Sequence, residues 1–99
     1  MPSSLSEITK PKIKKPSIYQ VILLNDDYTT MEFVVVVLMK FFSKSNEAAN
    51  ALMLKIHVEG EAVCGVFSHD IAQTKVTQVI EFSRKNEQPL MCIIREVLI

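Results

Sequence analysis

The feature that most constrains the fold is an apolar run from Phe33 to Phe42, which is interrupted only by Lys40. The run is about half as long as the ~20 apolar residues of a membrane-spanning helix, so we expect it to lie in a protein core. Four consecutive valines favour a strand on propensity alone. However, Thr29-Thr30-Met31-Glu32 forms a capping box, in which a threonine oxygen binds the third helical N–H and Glu32 reaches back. The cap, the length and the position of Lys40 together predict a helix.

The neighbouring segments carry their own start and stop signals. The β-branched and apolar residues from Ile18 to Leu24 predict a buried strand, which ends at the turn-forming residues Asn25-Asp26-Asp27. A second helix is expected to begin at Ser43 or Ser45 and to end at Gly60. Its apolar residues follow the helical period: Ala48, Ala49, Leu52, Met53 and Ile56.

The last third of the chain predicts a strand, a helix and a strand. The first strand covers Ala62–Phe67, and Ser68 then caps a helix that has Asp70 in its first turn. A turn over Asn86–Pro89 leads to a final strand over Leu90–Ile94. The buried stripe of this third helix is predicted from its period: Ile71, Ala72, Val76, Val79 and Ile80. The order β-α-α-β-α-β predicts an α+β fold, with helices layered on a three-stranded sheet.

Charge divides the chain into two parts. Residues 1–17 hold four lysines against one acidic residue, and they also hold three of the four prolines. This segment has no apolar period, so we expect a flexible basic extension over residues 1–17 and one folded domain over residues 18–99. The remainder carries a net charge of −3. A basic tail on a mildly acidic domain lacks the broad positive surface that binds nucleic acid, so no nucleic-acid partner is expected.

The cysteines and the N-terminus bear on the cellular compartment. Cys64 and Cys92 each lie in an apolar segment, which favours reduced thiols in the core, although the sequence leaves a disulfide open. The first residues contain no apolar signal core. We therefore expect a soluble, cytoplasmic protein with no membrane contact.

Two groups of polar residues are candidates for function. Asn25-Asp26-Asp27 would ordinarily form a turn, because Asn and Asp side chains bond their own backbone. Its density of acceptors between two apolar elements also suits a binding site. His57 lies four residues after Met53 and therefore adjoins the apolar stripe of the second helix. A lone histidine in that setting is ordinarily a residue at the edge of the core.

Catalytic and metal sites find little support in the sequence. A nucleophile pair would join Cys64 to His57 or His69, but the apolar surroundings of Cys64 raise a thiol pKa. The histidines and cysteines have no recognised zinc spacing, and the acidic run lacks the pattern of a calcium loop. Two glycines are too few for a nucleotide cradle. We expect no metal and no cofactor.

The chain carries five segments in a characteristic order: Val21–Val34 (VILLNDDYTTMEFV), Leu52–His57 (LMLKIH), Ala62–Phe67 (AVCGVF), Thr74–Val76 (TKV) and Asn86–Leu90 (NEQPL). Together they resemble the ClpS adaptor family, in register from about Pro16 to Glu96. The resemblance implies a three-stranded antiparallel sheet packed against helices, similar to the C-terminal domain of ribosomal protein L7/L12.

The resemblance also implies a function. ClpS family members are non-enzymatic adaptors that bind polypeptides beginning with Leu, Phe, Tyr or Trp. They deliver these N-degrons to the ClpA or ClpC AAA+ unfoldase of the ClpP protease, and the unfoldase engages the N-terminal extension. A monomer without cofactor is therefore expected.

Site residues carry over by position. The amine-binding residues of the family fall on Asn25, Asp26 and His57. The unfoldase-docking surface falls on Asp70 and Lys75. The pocket for the first side chain falls on six residues: Thr29, Met31, Val34, Met53, Ile56 and Leu90.

Three positions depart from the family pattern. Thr30 stands where many members have proline, which leaves the pocket chemistry intact. Ile56 is bulkier than the valine of some members and would narrow the pocket. Asp70 stands where a glutamate is common in the family, and this difference concerns the strength of docking to the unfoldase.

Two other functions remain open on the residues alone. The first is an interaction module of the L7/L12 type, which would dock a partner through a helix face without reading N-termini. The second is a small hydrolase that would use His57 and Asp26. Convergence of the three amine acceptors on an apolar pocket would distinguish the adaptor from the interaction module, and turnover would identify a hydrolase.

Overall fold

The elements follow the predicted order β-α-α-β-α-β in the computed structural model, which describes residues 17–97. Apart from Ser17, the predicted extension over residues 1–17 lies outside this range. The elements are β1 (Ile18–Leu24), α1 (Met31–Phe42), α2 (Asn46–Glu59), β2 (Glu61–Phe67), α3 (His69–Lys85) and β3 (Met91–Val97). Within the described range, no helix combines the length and hydropathy that crossing a membrane requires.

The three strands form one antiparallel sheet in the order β2-β1-β3, so the α+β prediction is confirmed. Leu23, on the central strand β1, lies opposite Ala62 on β2 and Cys92 on β3. The register with β2 shifts between Val21 and Ile22, which leaves Cys64 as an extra residue on β2. The first strand therefore sits at the centre of the sheet, and its C-terminal end leads directly into the polar segment at Asn25.

The apolar run is a helix, as its cap and length predict. Val34, Val37, Leu38 and Phe42 are its buried residues, whereas Val36 is 45% exposed. The spacing of three and four residues between buried positions is that of one helical face. A buried valine or leucine contributes roughly 1.5–3 kcal/mol, so packing outweighs the strand propensity of the valines.

The cap of α1 differs from the predicted capping box. Thr30 is the cap, and its hydroxyl oxygen accepts the N–H of Phe33 at 3.1 Å. The predicted reach of Glu32 back to the cap is wrong. The N–H of Thr30 instead donates to Oε1 of Gln88 at 3.1 Å, and the N–H of Thr29 donates to Asp26. A turn 58 residues away in the chain thus stabilises the start of α1.

The second helix begins and ends at residues that the sequence marks. The Ser45 hydroxyl accepts the N–H of Ala48 at 3.1 Å, so Ser45 is the cap of α2, and Ser43 ends α1. Gly60 ends α2 with φ of 93°, in the left-handed region that favours glycine.

The buried face of α3 is narrower than the period predicts. Ala72 and Val79 are fully buried, and Val76 and Ile80 are partly buried. The prediction for Ile71 is wrong, because this residue is 51% exposed. It precedes Ala72 by one residue and is therefore rotated about 100° from the buried face. The final strand begins at Met91, one residue later than predicted, and continues to Val97.

Candidate functional site

A cavity of about 240 Å³ opens where β1 ends, between the start of α1 and the last turns of α2. Its lining combines a polar part with an apolar part. The polar part comprises Asn25, Asp26, Asp27, Thr29 and His57. The apolar part comprises Met31, Val34, Met53 and Ile56.

The backbone brings the two ends of the polar part together. The N–H of Asn25 donates to the carbonyl of Gly60 at 2.9 Å, and the N–H of Gly60 donates to the carbonyl of Ile56 at 2.8 Å. This chain of two bonds fixes the end of β1 against the last turn of α2, which carries His57. Asn25 and the exposed His57 consequently face the same cavity, although 32 positions separate them in the chain.

Asp26 organises the loop between β1 and α1. Its Oδ1 accepts the N–H groups of Tyr28 at 2.8 Å and of Thr29 at 2.7 Å, and its Oδ2 accepts the Thr29 hydroxyl at 2.6 Å. A carboxylate offers about four acceptor positions, so one remains for a ligand. Asp26 therefore forms the predicted turn and also lines the cavity.

The surroundings of Asp26 favour its ionised form. Burial opposes ionisation, but the hydrogen bonds from Thr29 and Tyr28 and the positive charge of Arg84 outweigh it and lower the pKa of Asp26. The site therefore holds a carboxylate at neutral pH.

The apolar lining residues become more exposed from the depth of the cavity to its rim. Ile56 and Val34 are almost completely buried and form the depth of the cavity, and Met53 is 9% exposed. Met31, the first residue of α1, is 45% exposed and lies at the rim. The cavity can therefore take an apolar side chain with a polar, cationic group at its mouth.

The structure brings together eight of the nine residues that sequence analysis assigns to the amine site and the pocket. Leu90 is the exception. It is 1% exposed, belongs to the hydrophobic core and does not line this cavity. Asp27 lines the cavity but was not assigned a role. The sequence feature that could have indicated Asp27 is its place in the run Asn25-Asp26-Asp27.

The two cysteines are free and buried. Burial raises the pKa of Cys64 to about 11 and that of Cys92 to about 12. Both stay protonated at neutral pH and neither lines the cavity, so the geometry gives no support to a cysteine nucleophile.

The two predicted docking residues lie on α3, which contributes nothing to the lining of the cavity. Asp70 is fully exposed in the first turn of that helix. Lys75 is partly buried, and its Nζ donates to the carbonyl of Phe41 at 2.8 Å. This ammonium group therefore satisfies a carbonyl in the last turn of α1 with one of its three donors.

Comparison with known proteins identifies the family. The profile of the family described as ATP-dependent Clp protease adaptor protein ClpS matches residues 14–93. The chain belongs to the ClpS family. This ClpS family member is 53% identical over 88 residues to ClpS 1 of Rhizobium meliloti, covering 89% of this chain and 75% of that relative. It is 56% identical over 87 residues to ClpS 2 of Bradyrhizobium diazoefficiens, covering 88% and 79% respectively.

A solved ClpS structure has the same fold. It is that of Agrobacterium tumefaciens ClpS2 bound to L-phenylalaninamide, with a TM-score of 0.81 and 38% identity. The alignment covers 84% of this chain and all of the Agrobacterium protein. L-phenylalaninamide carries a free α-amine beside an aromatic side chain, which is the chemistry of a polypeptide N-terminus.

Proposed function

We propose that this ClpS family member is an adaptor that binds proteins with N-terminal Leu, Phe, Tyr or Trp. It delivers them to a ClpA- or ClpC-type AAA+ unfoldase for degradation by ClpP. The observation that carries this proposal is the convergence of Asn25, Asp26 and His57 at the mouth of an apolar cavity. The ligand of the Agrobacterium ClpS2 supports it, because that ligand has a free amine next to a phenylalanine side chain.

The acceptors match the donors of an α-amine. A free α-amine has an ordinary pKa near 8, so at neutral pH it is mainly a cation with three N–H donors. The amide oxygen of Asn25, the remaining acceptor position of Asp26 and an imidazole nitrogen of His57 accept one donor each. The negative charge of Asp26 adds electrostatic attraction, which an acetylated N-terminus cannot use.

The cavity accounts for selection of the first side chain. Burying a Leu or Phe side chain contributes roughly 1.5–3 kcal/mol, and each hydrogen bond to the charged amine contributes a similar amount. After the cost of association, the dissociation constant is expected to be on the order of micromolar. Such an affinity allows release of the cargo to the unfoldase.

The other functions receive less support. In the described residues His57 and Asp26 form neither an ion pair nor a hydrogen bond, and Asp26 is engaged by its own loop. A hydrolytic dyad therefore has no geometric basis. An interaction module that ignores N-termini would leave the grouping of the three acceptors without a purpose.

We further propose that a monomer acts in the cytoplasm and docks to the unfoldase through the α3 surface that carries Asp70 and Lys75. That surface is separate from the cavity lining, so cargo and unfoldase can be bound together. The basic segment over residues 1–17 is proposed to engage the unfoldase.

Peptides that differ only in their first residue test this proposal. Peptides that begin with Leu, Phe, Tyr or Trp should bind, as measured by fluorescence anisotropy of a C-terminal label. Matched peptides that begin with Ser, Glu or Lys should bind at least about tenfold more weakly, a difference of about 1.4 kcal/mol. Equal affinities across the series would show that the cavity does not read the first side chain.

A further inference from the structure

A second cavity lies beside the first. It has a volume of about 420 Å³ and is more open to solvent. Met31 and Met53 line both cavities, so the two cavities share these side chains. The other residues that line the second cavity are Glu32, Val35, Asn46 and Asn50.

One face of α2 connects the two cavities. Asn46, Asn50, Met53 and His57 are spaced by four, three and four residues, which places them on one face of the helix. At 1.5 Å per residue, Met53 lies about 6 Å and Asn50 about 10 Å from His57 along the axis. A peptide whose amine lies at His57 can therefore continue past Met53 towards Asn50.

The geometry of an extended chain selects the residue that reaches the second cavity. Successive side chains point to opposite sides and rise 3.2–3.4 Å per residue. When the first side chain enters the first cavity, the second points away from the protein. The third side chain points back to it, about 7 Å further along, between the levels of Met53 and Asn50.

The second cavity presents acceptors. The Nδ2 of Asn50 donates to the backbone carbonyl of Asn46 at 2.8 Å and to its Oδ1 at 3.3 Å. The Nδ2 of Asn46 is directed at the sulfur of Met39 at 3.7 Å. Because the Nδ2 of Asn50 makes these bonds within α2, the Oδ1 of Asn50 is the atom of this amide that can accept a hydrogen bond from a ligand. Glu32 adds a carboxylate that forms no ion pair or hydrogen bond with any residue between 17 and 97.

We propose that this cavity is a subsite for the third residue of the bound polypeptide and that it prefers Arg or Lys. The proposal rests on the proposed function, because it takes the position of the amine as given. A cationic side chain at this position supplies the donors that Glu32 and Asn50 lack. Glutamate at the same position faces the Glu32 carboxylate and is disfavoured.

Four labelled peptides test the subsite: Phe-Ala-Arg, Phe-Ala-Glu, Phe-Arg-Ala and Phe-Glu-Ala, each followed by the same neutral tail. At low ionic strength Arg should bind about three- to tenfold more tightly than Glu at position three, because the exchange replaces a repulsion from Glu32 by an attraction and so combines two exposed charge-pair effects. The corresponding ratio at position two should stay below about twofold. High salt should reduce the position-three ratio, because the charges are exposed.

Two protein variants test whether the Glu32 carboxylate causes the preference at position three. Glu32→Gln should bring the position-three ratio below about twofold, since it removes the charge and keeps the shape. Glu47→Gln removes another exposed first-turn carboxylate that does not line the cavity, so it should leave the ratio unchanged. Equal ratios at positions two and three, or a ratio insensitive to Glu32→Gln, would overturn the subsite.

An acetylated Phe-Ala-Arg peptide separates this proposal from the proposed function. Suppose that free Phe peptides bind, that acetylation abolishes their binding and that the residue at position three has no effect on affinity. In that case only the subsite is refuted. If acetylated and free peptides bind equally, or if no Phe peptide binds, the proposed function fails as well.

Discussion

The substitution Asp26→Asn removes the negative charge of this side chain and nearly preserves its shape. The carboxylate accepts three hydrogen bonds, from the N–H groups of Tyr28 and Thr29 and from the Thr29 hydroxyl. Hydrogen bonds to a charged group contribute about 1.5–3 kcal/mol, whereas neutral ones contribute about 0.5–1.5 kcal/mol. Asp26 is partly exposed, so solvent screening reduces the difference. We expect Asp26→Asn to lower the free energy of unfolding by about 1 kcal/mol.

The same change should weaken peptide binding. Replacing the carboxylate that we propose binds the amine by a neutral amide is expected to cost about 1–2 kcal/mol, which is about five- to thirtyfold in the dissociation constant. Asp27→Asn is the matched control. Asp27 lines the same cavity but forms no hydrogen bond or ion pair with residues 17–97, so its loss should leave stability nearly unchanged.

Denaturation followed by circular dichroism and binding of a labelled Phe peptide measure both effects. A loss of 1 kcal/mol corresponds to a fall of about 4–8 °C in Tm for a domain of this size. The pKa of Asp26 is lowered in the fold, so its contribution is present above the unfolded value. The stability difference between Asp26→Asn and the parent should be constant from pH 5 to 7 and shrink below about pH 4. Equal stability at pH 7, or an equal loss for Asp27→Asn, would refute the role assigned to Asp26.

Three further predictions concern the rim, the basic extension and α3. Met31→Ala should admit peptides that begin with Ile or Val, because we propose that the methionine at the rim excludes their extra Cβ methyl. A uniform loss of affinity for all peptides would show that Met31 lines the pocket without selecting the first residue. Deleting residues 1–15 should leave Phe-peptide affinity unchanged, because the cavity lining is retained, and abolish accelerated degradation by the Clp protease. Full delivery without that segment would contradict its role. Lys75→Met should lower the free energy of unfolding by about 1 kcal/mol through the lost bond to Phe41, whereas Asp70→Asn should not; equal denaturation midpoints for both would contradict the internal role of Lys75.

Local signals predicted most of the fold. The bounds of β1 match the predicted strand, and Gly60 ends α2 where its φ of 93° requires glycine. The cap of α1 could not be located in the same way. The capping-box spacing to Glu32 favours Thr29, whereas Thr30 is the cap and the Thr29 hydroxyl instead donates to Asp26.

Long-range contacts limit prediction of the site. The bond between the Thr30 N–H and Gln88 joins residues 58 positions apart, and no local pattern indicates it. Leu90 lies outside the cavity lining and is buried in the core, a placement that depends on tertiary packing and that the sequence motif does not specify. Asn25 and His57 could be assigned to one site only through family resemblance, since the tie through Gly60 is a tertiary contact.

The central claim is that the cavity binds a free α-amine next to an apolar side chain. Its most direct test compares a peptide that begins with Phe with the same peptide acetylated at its N-terminus. Acetylation removes the positive charge and leaves a single N–H donor for three acceptors. The free peptide should bind with a micromolar dissociation constant, and the acetylated peptide should bind at least about a hundredfold more weakly, a difference of about 2.7 kcal/mol. Equal affinities would contradict the claim.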